Sequence, residues 1–298
     1  MRLRPGARIA VVAPAGIFDP KRVQRGQEIV AEWGFTLVPA PNLHKQHGYT
    51  AGTLEERQAD LNWALTDPEI DAVWFARGGF GTAHLLPHLP WNQLDGRPVI
   101  GFSDATALLS GLRMHDLPAI HGPVLQTLTD DAFGAQNPVI VDDLSRRTLH
   151  HLLTEGTPPV FPGELLCGAG VAVRGPVVGG NLAVLASLAG TPWALRAQGA
   201  ILLLEDVGEV PYRLDRMLTQ LKQSGALDGV VGVGLGTFLE TRADPELLLD
   251  MLRDWLIPLG VPVLAGLPFG HGPRNLPWPV GALGEMTPQG LHFLHPHL

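Results

Sequence analysis

The sequence predicts an α/β protein, with an N-terminal, mostly parallel sheet covered by helices and a second α/β domain behind it. Three observations predict it. Short apolar runs rich in β-branched residues alternate with amphipathic helical segments through the first half. The alternation resumes in the second half, after a stretch rich in Gly and Pro. The length, 298 residues, fits one or two domains, and a 45% hydrophobic fraction supplies a core.

Residues 8–13 read as a strand and Pro14-Ala15-Gly16 as the turn after it. Val23, Ile29, Val30 and Trp33 give 21–33 one apolar helical face. A strand over 36–38 follows, and Leu54, Leu61, Ala64 and Leu65 mark a helix over 53–67. Strands over 70–76 and 98–102 come next, and 105–114 favours helix. Ligands of parallel sheets sit at the carboxyl ends of the strands, which directs attention to the loops beginning at Pro14, Arg77 and Ser103. From 131 to 176 the pattern loosens to one helix over 139–155, then Gly156-Thr157-Pro158-Pro159 and a Gly-rich stretch through Gly170. This reads as a crossover, dividing the chain into a domain at 1–150, a linker at 151–175 and a domain at 176–298. Helices over 181–189, 212–224 and 245–257 and strands over 200–204, 230–235 and 261–264 complete the second half.

Composition excludes several classes. A formal charge of -8 with no basic block speaks against a nucleic-acid partner. The one cysteine, Cys167, allows no internal disulfide and fits a reducing compartment. No apolar run reaches the roughly 18–20 residues that span a bilayer, and no leader-like apolar region follows the first residues, so the cytoplasm is the expected setting and no membrane contact is expected.

The chemistry centres on Gly101-Phe102-Ser103-Asp104-Ala105, where a buried strand passes straight into a helix. A serine on such a corner projects its hydroxyl, and the amides opening the helix favour negative charge. Small residues two before and two after it, Gly101 and Ala105, permit the tight packing the corner needs, although Ala stands where the strict pattern has a second Gly. A helix-capping serine is the alternative. A serine nucleophile requires a base and a group that orients the base. Among 12 histidines the candidate is His271, which follows a strand and lies between Gly270 and Gly272. An unengaged surface-loop histidine is the alternative. Glu205 ends the apolar run Ile201-Leu202-Leu203-Leu204 and must find a partner there: a histidine, or an arginine such as Arg213 or Arg216. Oxyanion-stabilising amides would come from Asp104 and from the loop Arg77-Gly78-Gly79-Phe80-Gly81. That loop and Gly232-Val233-Gly234-Leu235-Gly236 lack the spacing of a dinucleotide fingerprint or a P-loop.

Many ordered blocks resemble the LD-carboxypeptidases of the S66 serine peptidase family, nearly end to end. They are Val12-Ala13-Pro14-Ala15-Gly16, Ala76-Arg77-Gly78-Gly79-Phe80-Gly81 with Leu85-Leu86-Pro87, Ile100 to Thr106, and His121-Gly122-Pro123. They continue in Gly179-Gly180-Asn181-Leu182, Gly190-Thr191-Pro192-Trp193, Leu204-Glu205-Asp206-Val207-Gly208-Glu209 with Pro211 to Arg216, and Gly270-His271-Gly272. The resemblance implies an active site at the interface of the two domains, with Ser103 as nucleophile, His271 as base, Glu205 orienting it, and the amides of Gly79 and Asp104 as the oxyanion hole. It implies cleavage of the LD bond of murein tetrapeptide to release D-alanine, without cofactor or metal, by a homodimer. Arg77, Gly78 and Arg274 lie in the site loops and would meet the terminal carboxylate, with surface solvation or a structural ion pair as the alternative for the two arginines. Phe80 and Phe102 stand where family members often carry Tyr. The family's microcin C self-immunity relatives give the alternative, an amidase acting on peptidyl-nucleotides with the same triad, for which Trp193 and Trp278 would supply flat surfaces. His121 reads as a packed structural histidine, His292, His295 and His297 as a solvated tail, and Glu209, Asp215 and Arg216 as ties between a loop and a helix.

Overall fold

Two sheets form around central strands that are largely buried. The structure, a computed structural model, describes residues 2–129, 140–168, 170–242 and 244–294. In chain order the strands are β1 (Arg8–Val12), β2 (Thr36–Pro39), β3 (Ala72–Phe75), β4 (Val99–Gly101), β5 (Ala119–His121), β6 (Phe161–Pro162), β7 (Glu164–Cys167), β8 (Val173–Asn181), β9 (Ile201–Val207), β10 (Gly232–Leu239), β11 (Val263–Ala265), β12 (Trp278–Pro279), β13 (Leu283–Thr287) and β14 (Gly290–Phe293). The helices are α1 (Pro20–Glu32), α2 (Leu54–Thr66), α3 (Thr82–Leu85), α4 (Thr106–Met114), α5 (Asp143–Glu155), α6 (Leu182–Ser187), α7 (Pro211–Gln223) and α8 (Pro245–Leu256).

The first sheet runs β12-β5-β4-β3-β1-β2, parallel except where β12 returns antiparallel to β5. Its central strands are covered on both faces, which is why they read as continuous rather than alternating apolar runs. The second sheet runs β6-β14-β13-β8-β9-β10-β11-β7; β8 to β11 are parallel and the flanking pairs antiparallel. The architecture is therefore the two-domain α/β arrangement expected, with mixed sheets.

Capping fixes the helix starts. Asp19 accepts from the amides of Lys21 and Arg22 ahead of α1. Thr53 and Glu56 form a reciprocal capping box on α2. Asp142 accepts from Ser145 ahead of α5, and Gly156 ends that helix in the left-handed region. The expected helix over 139–155 thus begins at Asp143; Val139, and the crossover from Asp131 to Val139, lie outside the described residues.

The expected crossover also carries β6 and β7, which join the second sheet. Strands β5, β8 and β12 to β14 go beyond the sequence reading. In β8 the glycines are demanded by packing: a Cβ on Gly179 would stand 1.9 Å from the Leu203 carbonyl oxygen, and one on Gly175 2.2 Å from that of Gly199. Strand β10 likewise extends to Leu239, beyond the expected 230–235.

Candidate active site

Strand β4 delivers Ser103 at its carboxyl end. Ser103 has φ of +62°, left-handed backbone that a serine adopts only when its surroundings impose it, at a cost of about 1–3 kcal/mol. The surroundings leave no slack: a Cβ on Gly101 would lie 2.7 Å from that of Ala105 and 3.2 Å from the Phe75 ring. Ser103 opens a short 3-10 turn, Ser103–Ala105, that leads into α4. No side chain caps that turn, which sets aside the capping role for Ser103. Its Oγ lies 3.1 Å from His271 Nε2.

His271 comes from the loop after β11. Its Nδ1 is 2.6 Å from Glu205 Oε2, with the proton assigned to Nδ1 by that contact. Gly270, at φ +112°, makes the approach possible, because a Cβ there would sit 2.8 Å from Glu205 Oε2. The Phe102 ring packs 4.8 Å from the imidazole. Glu205 is wholly buried, whereas His271 keeps 12% of its side chain exposed to solvent. Burial disfavours the Glu205 carboxylate, but the charge and hydrogen bond of His271, aided by the Asn181 amide, hold it below the usual range. Burial also disfavours the imidazolium, and Glu205, Asp206 and Glu240 outweigh it and raise the His271 pKa. The arginine alternative for Glu205 is not realised; Arg213 pairs with Glu209 at 3.5 Å. A hydroxyl, an imidazole and a carboxylate in this line can remove the hydroxyl proton and balance the imidazolium that forms.

The loop 77–81 lies against the nucleophile. A Cβ on Gly78 would fall 3.0 Å from Ser103 Oγ and 3.5 Å from the Asp104 amide nitrogen. Gly79, at φ +114°, abuts Gly16, whose amide donates to the Gly78 carbonyl at 3.0 Å. Buried Arg57, absent from the sequence reading, ties three loops by donating to the carbonyls of Pro14, Gly52 and Gly81. Burial raises the pKa of Asp104, which accepts from the Thr82 amide at 2.9 Å. Arg57 from α2 and Asp104 from the turn after β4 are buried beside the same loop, a convergence that no local pattern reveals.

Arg77 and Arg274 have partners. Arg77 Nη1 donates to the Ile17 carbonyl, and Arg274 pairs with Asp142, the cap of α5, at 2.8 Å. Trp278 does not offer the exposed face considered for it: it is fully buried and stacks on His121 at 5.0 Å. His121 is indeed packed and fully buried, and that burial lowers its pKa to about 4, so it stays neutral. Trp193 is half-buried near Gly111. The exposed aromatic pair at the 77–81 loop is instead Phe80, within the loop, and Tyr49, which the sequence reading did not single out, 6.4 Å apart. His292 lies in β14, while His295 and His297 fall outside the described residues. Asp215 accepts from the Trp255 indole at 2.6 Å and so joins α7 to α8, and the Arg216 guanidinium lies over the Tyr212 ring. Burial pushes the Cys167 thiol up. Among the described residues, no group of three potential ligands gathers as a metal site, and no helix is long and apolar enough to cross a membrane.

Comparison with known proteins gives two family matches, LD-carboxypeptidase N-terminal domain over residues 9–122 and LD-carboxypeptidase C-terminal domain over 174–286, together well over half of the chain. The chain is 37% identical to the murein tetrapeptide carboxypeptidase of Pseudomonas aeruginosa, over 92% of this chain and 91% of that one. It resembles the crystal structure of muramoyltetrapeptide carboxypeptidase from Oxalobacter formigenes at a TM-score of 0.80 and 30% identity, covering 96% and 97% of the two chains. It is 27% identical to the microcin C7 self-immunity protein MccF of Escherichia coli, over 90% of this chain and 86% of that one.

Proposed function

The chain belongs to the S66 family of LD-carboxypeptidases, and from that premise we propose that it hydrolyses the LD peptide bond of murein tetrapeptide and releases the terminal D-alanine, a step of peptidoglycan recycling. The observation that carries the reading is the line from Ser103 Oγ through His271 to Glu205, at 3.1 and 2.6 Å.

In this reading Ser103 Oγ attacks the carbonyl carbon of the third, L-configured residue while His271 Nε2 takes the hydroxyl proton. Glu205 holds the ring and balances the imidazolium. The amides of Gly79 and Asp104 receive the negative oxygen of the tetrahedral intermediate. His271 then gives its proton to the departing amine of D-alanine, leaving an acyl-serine. Water, deprotonated by the same nitrogen, attacks that ester; the peptide leaves as a carboxylate and Ser103 regains its proton. Arg77 and Gly78 are assigned to the terminal carboxylate, and Arg274 joins them only by giving up Asp142. Residues 1–150 supply the nucleophile and 176–298 the base and its partner, around the 151–175 linker, so the active site lies between the two domains. A homodimer follows from the family resemblance, and a cytoplasmic setting fits the same reading.

The test is mass spectrometry of murein tetrapeptide incubated with the wild-type protein and with Ser103→Ala. D-Alanine released by the wild type alone supports both substrate and nucleophile. Release by both proteins overturns the role of Ser103. The second reading, a peptidyl-nucleotide amidase of the microcin self-immunity type, is favoured by one observation: the exposed Tyr49 and Phe80 rings offer a surface on which a base can stack. A nucleotide conjugate cleaved in place of the murein peptide would select it.

A further inference from the structure

Near its carboxyl end strand β9 carries two consecutive carboxylates, Glu205 and Asp206, both buried. Successive residues of a strand point to opposite faces. Glu205 accordingly reaches His271, and Asp206 reaches the start of α6, where its Oδ2 accepts from the Ala183 amide at 2.8 Å and its Oδ1 from Val207 at 2.7 Å. Asn181, the register partner of Glu205 on β8, spans the two. Its Nδ2 lies 3.2 Å from Glu205 Oε1 and 3.3 Å from Asp206 Oδ1, so each N–H of one amide serves one carboxylate. The amide cannot turn over, because its Oδ1 accepts from the Val184 amide at 3.1 Å to cap α6. Glu205 therefore has one oxygen on the imidazole and the other on an amide that Asp206 shares.

The charges facing this cluster have one sign. His271 feels Glu205, Asp206 and Glu240 as anions. His121, from β5, stays neutral, and the register partner of Asp206 on β10 is Phe238. Asn181 and the amides of Ala183 and Val207 donate hydrogen bonds but carry no charge. Among these described groups, the imidazole is the one that can become a cation and balance the anions.

We propose that Asp206 is a positioning residue for His271: through Asn181 it fixes the carboxylate that orients the imidazole, and its own negative charge keeps that imidazole basic. The proposal rests on reading Ser103, His271 and Glu205 as a catalytic triad. Burial and the neighbouring Glu205 raise the Asp206 pKa to about 6, so the second charge is present above that pH and lost below it. The sign follows. An anion near the imidazole stabilises the imidazolium and raises its pKa. Removing the anion lowers that pKa and moves the acid limb of kcat/KM, which requires neutral His271, to lower pH.

The experiment compares wild type with Asp206→Asn, and with Asp206→Ser in case the amide of the first variant clashes with the donors around it. It reads the pH profile of kcat/KM on murein tetrapeptide and, independently of turnover, the NMR titration of the labelled His271 ring. The acid limb and the ring titration are expected to move down together by about 0.5–1 pH unit in the variants. The wild-type ring is expected to sense a further inflection near pH 6, from Asp206 itself. A variant with lower activity but an unmoved His271 titration overturns the proposal and leaves Asp206 as packing. Should neither variant fold, a wild-type ring curve with no second inflection below its main titration overturns it. A wild type that does not cleave the peptide defeats the substrate reading, while the ring titration still decides the role of Asp206.

Discussion

The Ser103 corner and the Glu205–His271 pair reach the same site by opposite means. The corner is assembled from residues within a few positions of the serine: Gly101 and Ala105 pack against each other, and the backbone passes directly from β4 to the turn opening α4. The pair joins residues 66 positions apart, and its imidazole meets a hydroxyl 168 positions from it in the chain. The corner stores strain, a left-handed serine held by its neighbours. The pair stores charge, a buried carboxylate balanced by a ring that can be protonated. Local strain is fixed as soon as the strand and the helix form. Buried charge is tolerable only after both sheets have closed around it.

That contrast can be broken from either side. The largest expected effect is on the charge side. Glu205→Gln keeps the shape but favours the wrong imidazole tautomer, and kcat on murein tetrapeptide should fall by about 10⁴-fold, equivalent to about 5 kcal/mol of barrier. A fall of less than tenfold would show that the carboxylate does not orient the base. Next comes the strain side. Gly101→Ala places a Cβ 2.7 Å from that of Ala105 and should cost about 1–3 kcal/mol of stability in denaturant unfolding. An unchanged midpoint would mean that the corner relaxes and that the glycine is not what holds it. The smallest effect serves as the control. Thr53→Ala removes the capping box of α2 and should cost about 1 kcal/mol with kcat unchanged, because this cap touches neither the corner nor the pair. Loss of activity in that variant would tie α2, through Arg57 and the loops it joins, to the site more closely than the comparison allows.

Much of the fold was legible because its signals are local. The buried parallel strands read as apolar runs, the helices as one-sided apolar patterns, and the serine as a residue at a strand-to-helix corner. Strand β8 escaped because its glycines, which in a sequence suggest loop, answer the close approach of neighbouring backbone. The short strands β5 and β12 escaped because two- or three-residue strands have no period to read. Trp278 looked available as a surface, and its burial against His121 follows from β12 crossing back to the first sheet.

The sequence by itself determined most of the longer strands and helices, and that Ser103 stands at a strand-to-helix corner, because neighbouring residues impose these. Tertiary structure alone decided that Glu205 meets His271 rather than an arginine, that Arg274 is drawn to Asp142, and that Asn181 binds two carboxylates at once. Each of those choices matches a charge or an amide with a partner distant in the chain, and the energy of such a match depends on distance and burial, which exist only once the sheets have packed.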